Sequence, residues 1–224
     1  MRIILFGASG MVGQGVLREC LRDPDVETVL LIGRGAIAQQ HPKIRQIARP
    51  DPGDLAPVQN EVTGFDATFF CLGVSSAGMS AADYKRITYD LTIRAARTLA
   101  EQNPGMTFIY VSGKGTDSTE SGRLAWARVK GATENALLRM PFKAAYMFRP
   151  AAIRPMHGEA PKANATRIAL KLMGWILPLI QSVAPSAVTT TERVGLAMLN
   201  VAKHGAPKKV LESADINALS STGS

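Results

Sequence analysis

The sequence predicts an α/β protein with a doubly wound, mostly parallel sheet, helices on both faces and a small C-terminal lobe. Short apolar runs rich in Val, Ile and Phe alternate with longer segments of helical spacing. Most of the apolar runs show no polar alternation, which is typical of parallel strands covered on both faces; the stretch 43–49 alternates and could be a further strand. A glycine-rich turn joins the first run to the first helical segment, as in nucleotide-binding α/β folds.

Six strands and three helices follow in order up to residue 150. Val12, Val16 and Cys20 lie on one stripe of the first predicted helix. Ser80 is a plausible N-cap of the second helix, which Asn103 and the following Pro-Gly pair should end. The predicted strands are 2–8, 28–34, 43–49, 66–73, 107–113 and 144–150, and the predicted helices are 10–23, 80–102 and 123–140.

The strict alternation stops after Pro150. A loop over 151–165 should lead to an apolar helix over about 166–184, broken or kinked near Pro178. We therefore divide the chain into a dinucleotide-binding core, 1–150, and a substrate lobe, 151–224, which together form a single structural domain.

The last part of the chain carries signals for one more helix. Thr189, with Glu192 three residues later, predicts a capping box, and Gly205 predicts the C-terminal end of this helix. The tail from residue 220 is expected to be disordered.

Composition indicates a soluble globular protein. The chain has 224 residues, of which 46% are hydrophobic and 20% charged. Cys20 and Cys71 lie in apolar surroundings without metal-ligand spacing, so we expect buried thiols in a reducing compartment and no metal site. The start MRIILFGASG predicts a strand and not a signal peptide, so we expect a cytoplasmic protein.

The net charge of +8 is concentrated in one segment. Residues 123–171 contain ten Lys or Arg against Glu134 and Glu159, and the rest of the chain is neutral. This segment is either a solvated basic face or a field that attracts phosphates, anionic substrates or an acidic membrane. Nucleic acid is not expected as a partner, because aromatic residues do not interleave with the basic ones and no nucleic-acid-binding motif is present.

The stretch GASGMVGQG predicts a dinucleotide site. It places Gly7, Gly10 and Gly13 between the first strand and the first helix. The first glycine permits a tight turn, the second lets the backbone approach a pyrophosphate, and the third lets the helix pack close to the sheet. The helix N-terminus adds free N–H groups for phosphate. The predicted phosphate-binding residues are Gly7, Ala8, Ser9, Gly10, Met11, Val12 and Gly13.

The end of the second strand indicates the form of the cofactor. An acidic residue there would bind the 2′-hydroxyl of NAD, but this sequence has Gly33-Arg34. A guanidinium suits a 2′-phosphate and can stack on adenine, so NADP (NADPH) is the expected cofactor.

Two further strand ends should reach the cofactor. The fourth strand ends with Cys71, Leu72 and Gly73, where a glycine permits close approach of the backbone. The fifth ends with Ser112, whose position places it next to the nicotinamide. Because the carboxyl ends of parallel strands share one edge of the sheet, these residues should line the same cleft.

These segments together resemble an atypical short-chain dehydrogenase/reductase, of the extended family with the G-x-x-G-x-x-G motif. FCLGVSS, YVSGKGTDS, WARVKGATENAL and MFRPAAI follow the order and spacing of the branch that includes an animal oxidoreductase named for its interaction with the viral Tat protein. The resemblance covers about residues 1–205. It implies a Rossmann fold, Ser112 and Lys130 near the nicotinamide ribose, and a nicotinamide side lined by Arg149, Pro150 and Ala151.

Trp126 stands where this family has its catalytic Tyr, four residues before Lys130. In the usual scheme the phenol donates a proton to a carbonyl, the lysine lowers its pKa and binds ribose, and the serine orients the carbonyl. An indole cannot donate that proton. Ser112, Lys130 and Trp126 are therefore the candidate catalytic residues, and His157 and Tyr89 are candidate replacements for the acid.

We expect an NADP-dependent reductase of a small carbonyl or quinone. The alternative is a non-catalytic NADPH-binding sensor or regulatory protein. The apolar stretch 167–180 is too short to span a membrane and predicts either a buried helix or oligomer face, or a helix in an anionic membrane interface. Such a protein would be a monomer or homodimer, with peripheral membrane contact as a possible property.

Overall fold

The computed structural model describes residues 1–159 and 188–221. Nine strands are found within these ranges. They are β1 (Arg2–Phe6), β2 (Thr28–Gly33), β3 (Ile44–Ala48), β4 (Ala67–Phe70), β5 (Thr107–Val111), β6 (Ala144–Arg149), β7 (Ala152–Arg154), β8 (Val188–Thr190) and β9 (Val210–Glu212).

Seven of these strands form one parallel sheet in the order β3-β2-β1-β4-β5-β6-β9. Leu5 of β1 pairs with Leu31 on one side and with Phe69 on the other. The strand order changes direction between β1 and β4, which is the place where a doubly wound sheet opens a crevice at its carboxyl edge. The predicted fold class is confirmed.

Helices connect these strands and cover the sheet. They are α1 (Met11–Arg22), α2 (Ala81–Lys85), α3 (Leu91–Gln102), α4 (Ala125–Leu138), α5 (Thr191–His204) and α6 (Ser213–Leu219). A π-helical turn, Arg86–Asp90, joins α2 to α3, so the single helix predicted over 80–102 is wound unevenly at its centre. Such turns are frequent near functional sites.

Alternate residues of each strand enter two separate cores. Ile3 and Leu5 face the core covered by α1 and α5, whereas Ile4 and Phe6 face the core covered by α3 and α4. All four side chains are fully buried. Strands that are apolar on both faces therefore follow from the two-sided cover, as the continuous apolar runs predict.

Two close helix contacts fix α5 against α1. A Cβ on Gly15 would lie 2.5 Å from Cβ of Thr191, and a Cβ on Gly195 would lie 3.2 Å from Cα of Val16. Because Gly15 meets the start of α5 and Lys203 near its end pairs with Asp23 after α1, the two helices run parallel. The N-termini of both helices thus lie toward the carboxyl edge of the sheet.

Several local predictions are confirmed and one is wrong. Ser80 caps α2 by accepting from the N–H of Asp83, and α3 ends before Asn103. At α5 the cap is Thr190, which accepts from the N–H of Arg193, and not Thr189. Thr189 lies in β8 with a fully buried side chain, so the small β7–β8 pair shifts the helix start by one residue.

The sequence predicts only some of the elements that the structure shows after residue 150. The sequence prediction omits β7, β8, β9 and α6, although β9 pairs with β6 and completes the main sheet. The helix predicted over 166–184, its interfacial stretch 167–180 and the last three residues of the tail lie outside the described residues. Over the ranges that are described, no helix is long and apolar enough to cross a membrane. The division at residue 150 stays a prediction.

Candidate dinucleotide site and the Trp126 site

The turn after β1 is built around backbone that leaves no room for side chains. Gly7 has φ of +79°, and a Cβ there would lie 2.7 Å from the carbonyl carbon of Cys71. A Cβ on Gly13 would lie 2.6 Å from the carbonyl carbon of Gly7. Both positions therefore require glycine, the first for its φ and the second for the close approach of α1 to the turn.

The N-terminus of α1 opens at this turn without a side-chain cap. Gly10 is the N-cap residue, and its N–H donates to the Gly7 carbonyl at 2.9 Å. A first helical turn without a side-chain cap presents N–H groups and a partial positive charge to a bound anion. The predicted residues Met11, Val12 and Gly13 form this turn.

A cleft of about 560 Å³ extends from the glycine turn along the carboxyl edge of the sheet. Arg34 lies on its rim and is exposed. Within the part of the chain that the structure describes, no acceptor pairs with the Arg34 guanidinium. The predicted residues that line the cleft are Gly7, Ala8, Ser9, Gly10, Arg34, Cys71, Leu72 and Gly73.

Sequence reasoning missed the opposite wall of this cleft, which α3 and the π-helical turn supply. Arg86, Ile87, Leu91 and Arg94 line it. Arg94 pairs with Asp51 at 2.8 Å. Burial raises the pKa of Asp51, but the Gly53 N–H and the Arg94 guanidinium outweigh this and lower the pKa overall. No motif marks these residues, and only the packing of the helix brings them to the cleft.

A second cluster of predicted site residues lies at the ends of β5 and β6, outside the walls of the cleft. Ser112 is 5% exposed, and its hydroxyl donates to the carboxylate of Glu134. The hydroxyl also lies 3.2 Å from the Phe148 carbonyl. In this structure the serine hydroxyl is thus directed into the protein.

Glu134 is a buried carboxylate that sequence reasoning missed. Its side chain is 1% exposed and forms an ion pair with Arg149, whose Nε lies 3.0 Å from Oε1. Hydrogen bonding to Glu134 raises the pKa of Arg149 and outweighs the cost of burial. Trp126, Lys130 and Glu134 are spaced by four residues along α4, so one helix face carries all three. That spacing is the signal that could have identified Glu134.

Lys130 bridges α4 and the end of β5. Its ammonium group donates to the carbonyl oxygen of Ser112. Burial lowers the pKa of Lys130, and the negative charge of Glu134 raises it by a smaller amount, so the pKa is lowered overall. Lys130 therefore lies in a poorly solvated place, close to the strand end where the nicotinamide is predicted.

Trp126 packs on the loop that follows β5. A Cβ on Gly115, whose φ is +85°, would lie 3.2 Å from Cη2 of the indole. The same loop is bonded to α4, because Asp117 donates its N–H to the Ala127 carbonyl at 3.1 Å. The indole thus forms a wall beside Lys130 and presents no acidic group.

Of the other candidate acids, Tyr110 and Tyr84 are buried, His157 is ion-paired and Tyr89 is half-buried. Burial raises the pKa of Tyr110, which is 2% exposed and points into the core beside α4. Burial also raises the pKa of Tyr84. Tyr89 packs partly on that core, with the Lys85 ammonium 4.9 Å from its ring centroid. His157 pairs with Glu192 of α5 at 2.8 Å.

The three residues predicted to line the nicotinamide side are held in place by hydrogen bonds within the protein. The Arg149 side chain is bound to Glu134 and to Ser118. Pro150 accepts from the N–H of Lys114, and Ala151 donates its N–H to Ser213. Their roles toward a cofactor, like those of the other site residues, stay predictions.

The arrangement fits the dinucleotide that this fold implies. A Cβ on Gly73 would meet no described atom within 4 Å, so the surface of Gly73 is open to the cleft, and α1 presents its N-terminus beside it. The cleft could accept the adenosine and pyrophosphate, with Lys130 and Trp126 farther along the strand ends. The fold and site therefore define a doubly wound α/β protein with a dinucleotide-type cleft.

Solved structures with the same fold include NAD-bound enzymes and a short-chain dehydrogenase/reductase superfamily protein. The enzyme WbmF of Bordetella bronchiseptica, solved with NAD+, matches with a TM-score of 0.68 and 16% identity, covering 97% of this chain and 76% of its own. A short-chain dehydrogenase/reductase superfamily protein of Agrobacterium tumefaciens with bound NAD matches with a TM-score of 0.66 and 14% identity, covering 95% and 77%. No family model matches the sequence.

Curated relatives confirm the resemblance to atypical short-chain dehydrogenases/reductases. Protein fmp52-2, mitochondrial, of Aspergillus oryzae is 26% identical over 220 residues, covering 95% of this chain and 93% of its own. Protein HTATIP2 of Rattus norvegicus is 27% identical over 150 residues, covering 66% of this chain and 61% of its own.

The expected cytoplasmic location is contradicted, because relatives from several fungi are named mitochondrial.

Proposed function

We propose that the chain binds NADP(H) in the cleft and reduces a small carbonyl or quinone substrate. One observation carries the cofactor assignment: the glycine turn and the α1 N-terminus without a side-chain cap open onto a cleft with an exposed arginine at its rim. The solved structures of this fold that contain NAD or NADH support the dinucleotide class. The preference for NADP is drawn from the residues of this chain.

Arg34 is the reason for preferring the phosphorylated cofactor. An exposed guanidinium that has no partner among the described residues can form charge-assisted hydrogen bonds to a 2′-phosphate. Asp51, the acidic residue of the cleft, is paired with Arg94 and so is less available to a ribose hydroxyl. Both features favour NADPH over NADH.

Titration of the protein with NADPH and NADH tests this assignment. Arg34→Ala should weaken NADPH binding by about tenfold to a hundredfold, as expected for one charge-assisted contact, and leave NADH binding nearly unchanged. Arg45→Ala is a matched control, because Arg45 is exposed on β3 and does not line the cleft. An unchanged preference for NADPH in Arg34→Ala would contradict the assignment.

The reductase assignment rests on the second cluster. When bound, the reduced cofactor would supply a hydride at the ends of β5 and β6. Lys130 would bind ribose hydroxyls, and Trp126 would form an apolar wall that excludes water and accepts a flat substrate. Flat apolar carbonyls and quinones are the class that such a wall favours.

A non-catalytic NADPH-binding protein is the second candidate, and a different observation favours it. The Ser112 hydroxyl donates to buried Glu134, so the serine of the usual Ser-Tyr-Lys set is directed into the protein, and Trp126 stands in place of the tyrosine. Such a protein would change its shape or partners with the redox state of the bound cofactor. Lys130 and the glycine turn would then serve binding alone.

Trp126→Tyr separates the two candidates. If the site retains its catalytic frame, the new phenol four residues before Lys130 should raise NADPH-dependent reduction of diacetyl or menadione, by at most the about 10²–10⁴-fold that one positioned acid supplies. Trp126→Phe is the matched control, since it removes the indole without adding an acid. Tight NADPH binding without reduction in either variant would favour the sensor.

Two further properties remain proposals. We propose peripheral membrane contact through 167–180, from its apolar residues and flanking basic residues. Liposome flotation with anionic and neutral lipid tests it, and binding that does not depend on salt or anionic lipid would contradict it.

The chain is proposed to be a monomer or homodimer, which sedimentation can decide.

A further inference from the structure

We propose that the Lys130 ammonium group is the acid of the reduction and donates its proton to the substrate oxygen, in place of the phenol that Trp126 replaces. This inference rests on the proposed reductase function. It assigns Lys130 a chemical step in addition to binding the ribose.

The position of Lys130 supports this role. It lies one helical turn after Trp126 on the same face of α4, and its Nζ lies 3.6 Å from the point that a Cβ on Gly113 would occupy. The Pro150 carbonyl oxygen is 3.8 Å from that same point. Nζ is therefore placed at the carboxyl ends of β5 and β6, where the hydride would be transferred.

The ammonium group has donors to spare. The structure gives it one acceptor among the described residues, the Ser112 carbonyl oxygen. A lysine ammonium carries three N–H groups, so two remain for other acceptors. One can bind a ribose hydroxyl while another donates to a substrate oxygen.

The charged surroundings suit proton donation. The negative charge of Glu134 on the same helix acts on Lys130, and Glu134 is itself ion-paired with Arg149 of β6. Tyr110 of β5 also faces Glu134, but it is buried and its pKa is raised. Burial lowers the Lys130 pKa by more than Glu134 raises it, which makes the ammonium a stronger acid than a solvated lysine.

The proposed step is balanced in atoms and electrons. The carbonyl carbon accepts the hydride supplied by the reduced cofactor and forms a C–H bond. The C=O π bond breaks, and its electron pair takes the proton from Lys130 Nζ to form the alcohol. The neutral amine then recovers a proton from water.

The described residues offer few alternatives. Burial raises the pKa of the Cys71 thiol far above neutrality, so this thiol of the cleft is a weaker acid than Lys130. Ser112 donates to Glu134, and its hydroxyl is not acidic enough to replace a phenol. These observations leave Lys130 as the acid best placed at the strand ends.

The first test measures the protonation of Lys130 in the absence of turnover. Protein labelled with carbon-13 lysine is titrated by NMR, and the Lys130 signal is assigned from its loss in Lys130→Arg. Its pKa should lie below the ordinary lysine value of about 10.4 and should fall further in Glu134→Gln. A pKa at or above the ordinary value would overturn the proposal.

The second test follows kcat for diacetyl and menadione across pH with saturating NADPH, whose binding is measured separately by fluorescence. Wild-type kcat should fall at high pH with the pKa found by NMR. Lys130→Arg should lose this alkaline limb, and Lys130→Met should reduce kcat by about 10²–10⁴-fold. Lys143→Arg, an exposed control at the other end of β6, should behave as wild type.

The outcomes separate the two levels of the proposal. An unchanged alkaline limb in Lys130→Arg, or wild-type kcat in Lys130→Met, would overturn the role of Lys130 and leave the reductase function standing. Wild-type protein that binds NADPH but reduces neither probe would overturn both.

Discussion

The two ends of the proposed cofactor site are built in different ways. The phosphate end consists of backbone, because the Gly7–Gly13 turn works by leaving side chains out. The nicotinamide end consists of paired side chains, with Glu134 buried between Ser112 and Arg149 and with Lys130 beside them. The first end is therefore sensitive to added volume, and the second to removed charge.

The two ends also differ in whether their charged groups are paired within the protein. At the phosphate end, Arg34 has no partner among the described residues and the α1 N-terminus has no side-chain cap, so both can meet an external anion. At the nicotinamide end the charges of Glu134 and Arg149 neutralise each other.

The largest predicted effect is at the nicotinamide end. Arg149→Met would leave Glu134, 1% exposed, without its cation. Breaking a buried ion pair from one side costs about 3–5 kcal/mol, and we expect the free energy of unfolding to fall by that amount. Urea unfolding at neutral pH measures it.

A double-mutant cycle shows whether the pair causes the loss. Glu134→Gln/Arg149→Met removes both charges, so its free energy of unfolding should lie closer to wild type than that of Arg149→Met alone. If the double variant were less stable than Arg149→Met by the full cost of Glu134→Gln, the ion pair would not be the source of the effect.

The second predicted effect is at the phosphate end. Gly13→Ala would place a Cβ 2.6 Å from the Gly7 carbonyl carbon, so the turn and α1 must move apart. Overpacking of this kind costs about 1–3 kcal/mol of stability, and NADPH affinity should fall at least tenfold because the phosphate cradle is displaced. Calorimetric titration and urea unfolding measure the two effects.

Gly105→Ala is the matched control for this substitution. Gly105 follows α3, has no described atom within 4 Å of its Cβ position and lies outside the cleft. The control should keep wild-type affinity for NADPH. A Gly13→Ala variant that also binds NADPH like wild type would show that the close approach does not shape the site.

The difference between the two ends also explains how much the sequence could predict. The fold was predictable because buried parallel strands need apolar residues on both faces, as in Ile3–Phe6. The phosphate turn was predictable because a Cβ at Gly7 or Gly13 would lie too close to neighbouring backbone. Both are local constraints, and local constraints leave a visible pattern.

The rest of the site depends on contacts between distant segments. The four-residue spacing from Lys130 places Glu134 on the same helix face, but only the packing of α4 against β5 and β6 buries it beside Ser112 and Arg149. Arg86 reaches the cleft through a π-helical turn that no local pattern predicts. The C-terminal strand β9 is three residues long and is defined by its pairing with β6.

The smallest predicted effect lies away from both ends of the site. It tests whether NADPH affinity depends on the glycine turn itself or on the stability of the protein in general. Lys203 near the end of α5 lies 2.8 Å from Asp23 and 2.6 Å from Asp25. Hydrogen bonding to Lys203 lowers the pKa of Asp25. For Lys203, burial lowers the pKa, but the two aspartates outweigh it and raise the pKa overall.

Lys203→Met should therefore lower the urea midpoint slightly at neutral pH, by less than Gly13→Ala. A carboxylate with a lowered folded pKa stabilises the protein above its unfolded pKa of about 3.9 and loses this effect as the pH falls through the folded value. The difference between wild type and Lys203→Met should thus shrink below about pH 4. NADPH affinity should not change at neutral pH, because the lost ion pair joins α5 to Asp23, at the end of α1 opposite the glycine turn. If affinity fell as it does in Gly13→Ala, the phosphate end would depend on the whole α1–α5 pair and not on its glycine turn.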